Sequence, residues 1–390
     1  MTQQPMRSDA RPRLLILSFS RISTDARLLK QIALFAPEYA VTTCGYGPRP
    51  EGVVDHIEVS PDEPRAVVLA RAACIRLRLF GVAYAVTPAV RQAKRGLRGR
   101  DFDAVLANDL DTVGLALTVV PGDRIHLDLH EYWPGREDQN PAWVRIRLPY
   151  YLWQLRRRAV RARSATTVSS TIARRYAEEF GIDAGVVTNA SPLRAFEPHP
   201  TADPPRIVHS GASLVSRRVE NIMRGVASAQ NGATLDLYLV GAGTPYYESL
   251  QRLADELGDR VRLLPPVAHD ELLATLNQYD IGIHVLPPTN TNNALALPNK
   301  FFDYVQARLA MLIGPTASMA DLLAEHDLGV VSEGFEPEQI ARAVEALDPA
   351  SADRYRANAH AAADALSSEQ QNVGWARAIA RIAPPAKGTP

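Results

Sequence analysis

A lysine and an aspartate stand three residues apart where the sequence predicts the start of a helix. The stretch from Leu297 to Tyr304 reads LPNKFFDY, and its proline suits the first turn of a helix. Lys300 and Asp303 then lie on one helical face. A cation there can bind a phosphate, and a carboxylate one turn later can hold a vicinal diol. An ion pair within the helix is the alternative.

A second group of candidate residues follows a predicted strand near residue 210. Small residues around Gly211 end this strand, and Arg217 and Arg218 stand where the next helix begins. Small residues let backbone amides approach an anion, and arginines beside a helix N-terminus add positive charge. A plain turn followed by solvent-exposed arginines explains the same residues equally well.

The turn Val240–Gly243 lies between a predicted strand and a predicted helix, as in dinucleotide-binding proteins. Those proteins carry a third glycine three residues further on, and the residue at that position here is Tyr246. We therefore interpret the turn as a tight strand-to-helix connection and expect no NAD.

His130 and Glu131 follow a predicted strand in the first half of the chain. Ligands of α/β proteins bind at the carboxyl ends of such strands, and both side chains can titrate. No second histidine stands three or four residues further on, so the pair is not a zinc motif. A histidine with a purely structural role is the alternative.

The elements that must position these residues alternate between strand and helix along the chain. Short apolar runs predict buried parallel strands. In the first half these are Arg13–Phe19, Val41–Cys44, Ala104–Ala107, Ile125–Leu129, Thr166–Ser169 and Val186–Thr188. In the second half they are Arg206–Ser210, Thr234–Val240, Val261–Leu264, Ile281–Val285, Met311–Ile313 and Gly329–Val331. The alternation predicts an α/β fold of two doubly wound Rossmann-like domains facing across a cleft.

A proline-rich segment divides the chain. Ala190–Pro205 holds five prolines and has no hydrophobic period. We expect a disordered tail at 1–12, a first domain at 13–190, a linker at 191–205, a second domain at 206–383 and a disordered tail at 384–390.

Composition excludes several classes of protein. The 390 residues are 46% apolar and carry no net charge, which argues against a nucleic-acid binder. The zero is a cancellation, because residues 1–200 carry +7 and residues 201–390 carry −7. Two cysteines supply neither a disulfide framework nor a cysteine-rich metal site. With no signal sequence or membrane-spanning run evident, we expect a cytoplasmic protein, at most peripheral on the inner face of the membrane.

Taken together, these stretches resemble the retaining glycosyltransferases of the GT-B fold, specifically their family 4. The second half resembles the nucleotide-sugar-binding domain of that family at Ser210-Gly211 with Arg217, Leu239–Gly243, Arg260–Val267, Asp280–Gly282 and Leu297–Tyr304. The first half is similar at Asn108–Asp111, Asp128–Glu131, Val168–Ser170 and Thr188–Ala190. The resemblance covers about residues 13–347, in order.

The resemblance implies a role for individual residues. It places a diphosphate-binding cation at Arg217, a ribose-binding carboxylate at Asp303 and the active-site histidine at His130. Pro266-Val267 would border the nucleobase, and Lys300 would bind phosphate. The further residues we assign are Gly211, Arg218 and Asn299 at the donor site and Asp109 and Glu131 on the acceptor side.

The chain departs from the family pattern at three points. The first of two family glutamates falls at Leu295, and the second is replaced by Asp303. The arginine that often follows the first glycine is Ala212, and Arg308 stands where a glycine is usual.

The implied chemistry needs neither a metal nor a cofactor, since the nucleotide-sugar is a substrate. Fixed cations and helix N-terminal amides would stabilise the departing diphosphate. Retention in this family is thought to proceed by same-face attack, with the leaving phosphate accepting the proton of the acceptor. The acceptor would be a glycan, a lipid-linked molecule or a small molecule. Alternatives are a GT-B-fold epimerase or hydrolase of sugar nucleotides, and a degenerate binding protein without activity.

Residues 143–163 combine four aromatic side chains with seven arginines. Such a mixture suits an anionic membrane surface, so we expect this segment to dock there. The alternative is a partly buried helix whose aromatic side chains belong to the core.

Overall fold

The structure is a computed structural model, which describes residues 11–268 and 270–385. These residues form two compact units. The first unit holds the chain up to Val187 and again from Asn372 onward, and the second unit holds Thr188–Gln371.

The described strands of the first unit form one parallel sheet. In chain order they are β1 (Arg13–Arg21), β2 (Ala40–Tyr46), β3 (Asp55–Glu58), β4 (Ala104–Asn108), β5 (Ile125–Leu129), β6 (Ser164–Thr167) and β7 (Ala184–Val186). Their order across the sheet is β3-β2-β1-β4-β5-β6-β7. Leu14–Leu17 of β1 is fully buried, as expected of a central strand covered on both faces. The chain order reverses between β1 and β4, which is where α/β sheets open a crevice for ligands.

The helices of the first half connect these strands. They are α1 (Ala26–Phe35), α2 (Arg65–Arg76), α3 (Phe80–Ala85), α4 (Pro88–Gly96), α5 (Leu110–Val119), α6 (Pro141–Ile146), α7 (Leu148–Arg157) and α8 (Ser170–Phe180). Asp25 begins α1, because its carboxylate accepts hydrogen bonds from the backbone amides of Arg27 and Leu28.

The second unit repeats this plan. Its described strands are β8 (Arg206–Ala212), β9 (Thr234–Val240), β10 (Val261–Leu264), β11 (Ile281–His284), β12 (Ala310–Ile313) and β13 (Gly329–Val331). They form a parallel sheet in the order β10-β9-β8-β11-β12-β13. Here the chain order reverses between β8 and β11, so the expected crevice lies at the carboxyl ends of these two strands.

The helices of the second unit cover its sheet. They are α9 (Val219–Ser228), α10 (Pro245–Leu257), α11 (Leu272–Leu276), α12 (Thr291–Leu295), α13 (Asn299–Gln306), α14 (Ala317–His326), α15 (Pro337–Glu345), α16 (Pro349–Ala362) and α17 (Ser368–Gln371).

The chain then returns to the first unit as α18 (Val373–Ile382). Trp375 of this helix is fully buried, and Ile379 lies with it in one apolar cluster with Leu14 and Ile16 of β1. The guanidinium of Arg27 lies over the Trp375 ring at 4.5 Å. The last helix is therefore part of the first core.

The predicted architecture of two doubly wound α/β domains is confirmed. Strand β3 was not predicted, because only Ile57 of its four residues is buried and the segment has no apolar run. Strands β6 and β7 each lie two residues earlier than predicted.

The expected domain boundaries differ from the observed division. Residues 372–383, assigned to the second domain, pack in the first unit. Residues 191–205, expected to be a linker, pack on the second unit: the Arg194 amide donates to Gln306 and the His199 ring bonds the Asn277 carbonyl. Prolines here mark an extended segment held by side chains. Of the expected tails, residues 1–10 and 386–390 lie outside the described residues.

Candidate functional site

Two buried histidines lie at the crevice of the second unit. His209 belongs to β8 and His284 ends β11, and their rings stack with centroids 6.0 Å apart. His209 Nδ1 donates to the Ile283 carbonyl at 2.8 Å, which leaves Nε2 as an unprotonated acceptor on a neutral ring. That Nε2, like Nδ1 of His284, has no hydrogen-bond partner in the described part of the chain. The crevice therefore holds buried polar atoms that a ligand could satisfy.

Two cations, Lys300 and Arg217, lie beside this pair. Burial, together with Lys300 and Arg217, lowers the pKa of His209 to about 3. Burial and the charge of Arg217 lower the pKa of Lys300, opposed by Asp303. Burial also lowers the pKa of Arg217. Two partly desolvated cations that repel each other form an electrostatic site for an anion.

Gly211 makes room for the lysine. A Cβ at Gly211 would lie 2.8 Å from Cε and 3.0 Å from Nζ of Lys300. The glycine also has a φ of +152°, which other residues rarely adopt. The second-last residue of β8 thus has no side chain at the point where the ammonium group of Lys300 approaches the strand.

A cavity of about 320 Å³ opens at these strand ends. Its polar lining includes Ser216, Arg217, His284, Asn293 and Thr316. Asn293 stands two residues before Leu295 and supplies a neutral amide near the position where the family carries a carboxylate. The volume lies within the range of small-molecule sites.

The two neighbouring arginines have different surroundings. Arg218 has a left-handed φ of +47° and pairs with Glu336 at 3.2 Å. Arg217 forms no ion pair or hydrogen bond through its side chain with any described residue. The structure therefore leaves Arg217 available to a ligand and gives Arg218 a partner within the protein.

The other predicted donor-site residues lie in three places. Asp303 is one turn after Lys300, and its carboxylate accepts a hydrogen bond from Ser191 at 2.5 Å. Asn299 is the exposed first residue of α13. Pro266 and Val267 follow the edge strand β10 and do not line the 320 Å³ cavity.

Arg308, which replaces a usual glycine, has a left-handed φ of +59°. Glycine adopts that conformation without cost, whereas other residues lose about 1–2 kcal/mol. The arginine gains bonds in return, since its guanidinium donates to the carbonyls of Gln306 and Arg194 at 2.9 and 2.6 Å. This departure from the family pattern is thus structural.

In the first unit, His130 lies between two carboxylates. Its Nδ1 is 3.3 Å from Asp109 and its Nε2 is 3.3 Å from Asp128. Burial disfavours the charged ring, but the two carboxylates outweigh burial and raise the pKa of His130. The ring is therefore a proton donor on both sides when it is charged.

A buried arginine anchors this cluster. Arg27 donates to both oxygens of Asp128 at 2.8 Å, and Thr166 donates to Asp128 at 2.7 Å. Burial would raise the pKa of Asp128, but Arg27 and His130 hold it well below its usual range. Bidentate pairing of this kind fixes geometry, so the position of His130 is set by a rigid carboxylate.

Asp109 has a backbone conformation that is rare for its residue type. Its φ is +64° and its ψ is 162°, a region that glycine nearly monopolises. The carboxylate accepts hydrogen bonds from the backbone amide of His130 and the indole of Trp133. Asp109 thus stands strained and partly exposed at the end of β4, beside the crevice of the first sheet.

Two more carboxylates flank the cluster. Glu131 pairs with Arg136 at 2.7 Å, and burial raises its pKa. Asp111 is half-buried, and desolvation together with the charge of Asp109 raises its pKa to about 6. The first unit therefore holds an acid, Asp111, whose protonation changes near pH 6.

The segment 143–163 does not present its aromatic side chains to solvent as expected. Trp143 and Tyr150 are buried, and Tyr151 and Trp153 pack against an apolar cluster of α2, α3 and α4. These rings pack within the first unit, so the segment lacks the exposed aromatic side chains on which the expected membrane contact depends.

Two features are absent from the described residues, 11–268 and 270–385. These residues contain no group of three or more His, Cys, Asp or Glu side chains placed to hold a metal ion. None of the helices among them is both long and apolar enough to cross a membrane.

Neither a protein-family model nor a curated protein sequence matches the chain. Solved structures do match it. HepE from Anabaena, determined in complex with UDP and glucose, has a TM-score of 0.69 over 95% of this chain and 100% of its own, at 13% identity. Sucrose-phosphate synthase from Thermosynechococcus elongatus gives 0.67 over 94% and 98% at 14% identity. WaaG, a glycosyltransferase involved in lipopolysaccharide biosynthesis, gives 0.63 over 92% and 99% at 12% identity. The chain therefore has the GT-B fold of these proteins.

Sequence reasoning missed the histidine pair and Arg27. His284 and His209 are each the second-last residue of a predicted strand, and a similar place next to a strand end led to His130. The strand-end signal was thus available for His284, but its pairing with His209 depends on β8 and β11 being neighbours. Arg27 gave no signal, because an arginine on a predicted amphipathic helix is normally exposed.

Proposed function

We propose that the protein is a retaining glycosyltransferase that moves a sugar from a nucleotide-sugar donor to an acceptor without a metal ion. The observation that carries the proposal is the position of Lys300 and Arg217. Both are partly desolvated cations at the strand ends of the second unit, and the matched HepE structure was determined with UDP and glucose.

In this mechanism Arg217 and Lys300 bind the diphosphate. Cleavage of the glycosidic bond moves negative charge onto the leaving phosphate, and preorganised cations stabilise that charge most where water is excluded. The first amides of α13 can add to this stabilisation, since Lys300 lies in the first turn. The leaving phosphate then accepts the proton of the acceptor hydroxyl, so no protein base is required.

We assign the histidine pair to the sugar end of the donor. His209 offers an unprotonated Nε2, and Ser210 and Thr316 have buried hydroxyls without partners among the described residues. Sugar hydroxyls both donate and accept, so they can satisfy this set. Because His209 is neutral, it adds no third positive charge to those of Arg217 and Lys300.

The acceptor side is proposed to lie in the first unit, around His130, Asp109 and Glu131. A charged imidazole between two carboxylates can orient an acceptor hydroxyl by hydrogen bonding. The acceptor is proposed as a glycan, a lipid-linked molecule or a small molecule. The proposed location is the cytoplasm, because the two free cysteines, Cys44 and Cys74, suit a reducing compartment.

A thermal-shift screen tests the donor site. One of UDP, GDP, ADP and TDP should raise the melting temperature by roughly 5–10 °C at a hundred times its dissociation constant. Arg217→Ala should remove most of that shift. Arg218→Ala should keep it, because Arg218 is paired with Glu336 and is not expected to bind the nucleotide. No shift with any nucleotide, or equal loss in both variants, would count against the proposal.

A second candidate function is hydrolysis or epimerisation of the sugar nucleotide. The observation that favours it is the Asp109–His130–Asp128 cluster, which could exchange protons. Incubating a labelled nucleotide-sugar without acceptor separates the two. Transfer requires an added acceptor, whereas a hydrolase or epimerase consumes or isomerises the donor alone.

A further inference from the structure

The first unit contains a long segment whose charges are all positive. Residues 64–100 include nine lysines and arginines and no aspartate or glutamate. Arg71 pairs with Glu63 and Arg100 with Asp55. The other seven have no ion-pair partner among the described residues: Arg65, Arg76, Arg78, Arg91, Lys94, Arg95 and Arg98. This part of the surface therefore carries uncompensated positive charge.

Helix α2, within this segment, presents an apolar stripe to solvent. Leu69, Ala72, Ala73 and Leu77 follow one another at the spacing of one helical face, and all four are exposed. Leu69 is 71% exposed and Leu77 is 68% exposed. This spacing is typical of a helix that packs on a core, but in the described part of the chain the face is exposed to solvent.

The apolar surface continues past the end of α2. Leu79 and Val82, in the turn and in α3, are each 50% exposed. Ile75, Ala83 and Tyr84 hold the two helices to the unit through the apolar cluster that includes Tyr150. The exposed side chains thus belong to helices that are packed on the first unit through their opposite faces.

The basic residues of α4 adjoin this surface. Val67 of α2 and Arg91 and Arg95 of α4 line one cavity, whose rim also includes Asp62 and Glu63. Arg91 and Arg95 also line a second cavity, of about 590 Å³, together with Lys94, Arg98 and Arg100. Apolar side chains and cations are therefore neighbours on one face.

We propose that this face, the outer side of α2 and α3 with the basic side of α4, docks on an anionic lipid bilayer. Leu69 and Leu77 enter the headgroup region, and the unpaired arginines lie against lipid phosphates. Anionic lipid is the partner that combines an apolar layer with negative charge, which matches what the face offers. Each basic residue near an anionic surface strengthens binding about fivefold. The inference does not depend on the proposed transferase activity.

Sedimentation of the full chain with phosphatidylcholine vesicles, with and without 30% phosphatidylglycerol, tests the proposal. Binding should require phosphatidylglycerol and should weaken between 50 and 300 mM salt, since salt screens exposed charges. The double variant Leu69→Glu/Leu77→Glu should reduce binding at least tenfold, as should Arg65→Gln/Arg76→Gln. All four residues are exposed, so folding should be preserved, and circular dichroism checks this.

The matched controls lie in the segment 143–163. Val160→Glu replaces an apolar residue that is 44% exposed, and Arg156→Gln/Arg157→Gln removes two exposed charges. Unchanged binding by these controls supports the α2 face. Equal losses in both sets, absence of binding to anionic vesicles at 50 mM salt, or a concentration-dependent dimer that Leu69→Glu/Leu77→Glu dissociates would overturn the proposal.

Discussion

Asp109 combines a strained backbone with a position next to His130. A non-glycine residue at its φ of +64° and ψ of 162° costs about 1–3 kcal/mol. Such strain persists only where the surroundings fix the residue, and here its carboxylate contacts the His130 ring and two N–H groups. The strain is thus tied to the carboxylate that raises the pKa of His130.

Two substitutions at Asp109 distinguish the effect of backbone strain from the effect of losing the carboxylate. Asp109→Gly and Asp109→Ala both remove the carboxylate, but only glycine tolerates this backbone conformation. We expect Asp109→Gly to be more stable than Asp109→Ala by about 1–2 kcal/mol, the reverse of the usual order within regular structure. Urea unfolding of the two variants measures the difference. A more stable alanine variant would mean that the backbone relaxes and stores no strain.

The charge of His130 links stability to pH. Its pKa is raised in the folded state, so its contribution is full below the unfolded value of about 6.5 and is lost as the pH rises through the folded pKa. Unfolding free energies of the wild type and of His130→Asn, measured from pH 5.5 to 8.5, should converge as the pH rises. The difference between the proteins isolates His130 from His126, whose pKa burial lowers to about 4. A constant difference across this range would contradict the assignment.

At the scale of elements, the donor site depends on how β8 ends and α13 begins. Gly211→Ala should push Lys300 aside, since the new Cβ would lie 2.8 Å from its Cε. We expect the affinity for the nucleotide that binds best to fall about tenfold, equivalent to about 1.4 kcal/mol. Calorimetric titration measures this effect.

Gly243→Ala is the matched control for that substitution. Gly243 also has a positive φ, of +82°, but an added Cβ would lie within 4 Å of no atom of the described residues. Both variants carry backbone strain, and only one obstructs the lysine. If the two variants bind the nucleotide with equal affinity, Lys300 does not contribute to nucleotide binding.

The sequence predicted the regular elements well because apolar runs and amphipathic stretches are local signals. Buried runs such as Leu14–Leu17 identify central strands, whereas β3 escapes because an edge strand buries little. The prolines at 191–205 suggested a linker, but composition does not show that Arg194 and His199 are held by a neighbouring core. Helix α18 was placed in the wrong domain because nothing local in its sequence tells which sheet Trp375 packs on.

The same limit applies to the candidate site. Lys300, Asp303, Arg217 and His130 could be selected from residue type, spacing and family resemblance. The histidine pair could not, because His209 and His284 are 75 positions apart in sequence and meet only through sheet order. Sequence reasoning also could not distinguish Arg217 from Arg218, since Arg217 lines a cavity formed by several loops and Arg218 pairs with the distant Glu336.

At the scale of the whole molecule, the position of Trp375 makes a prediction about stability. Trp375→Ala should destabilise the first unit by about 3–5 kcal/mol, the cost of removing a large buried side chain. Hydrogen exchange should then accelerate in β1 and β4 and not in β8 and β11. Nucleotide binding by the second unit should persist. Faster hydrogen exchange in β8 and β11 would contradict the packing of α18 on the first unit.

The path of the chain has a consequence for how the protein can be divided. Because α18 returns to the first unit, the second unit is an insertion between β7 and α18. Its two ends are adjacent, since Thr188 donates to Gln371 at 3.2 Å and the Ser368 amide donates to the Ser191 carbonyl at 3.0 Å. Residues 188–371 can therefore be made as one continuous polypeptide. The first unit consists of two segments, so making it alone requires a new peptide bond or a short linker from Val187 to Asn372. The chain is thus an example of a domain insertion, in which one domain lies within the sequence of another.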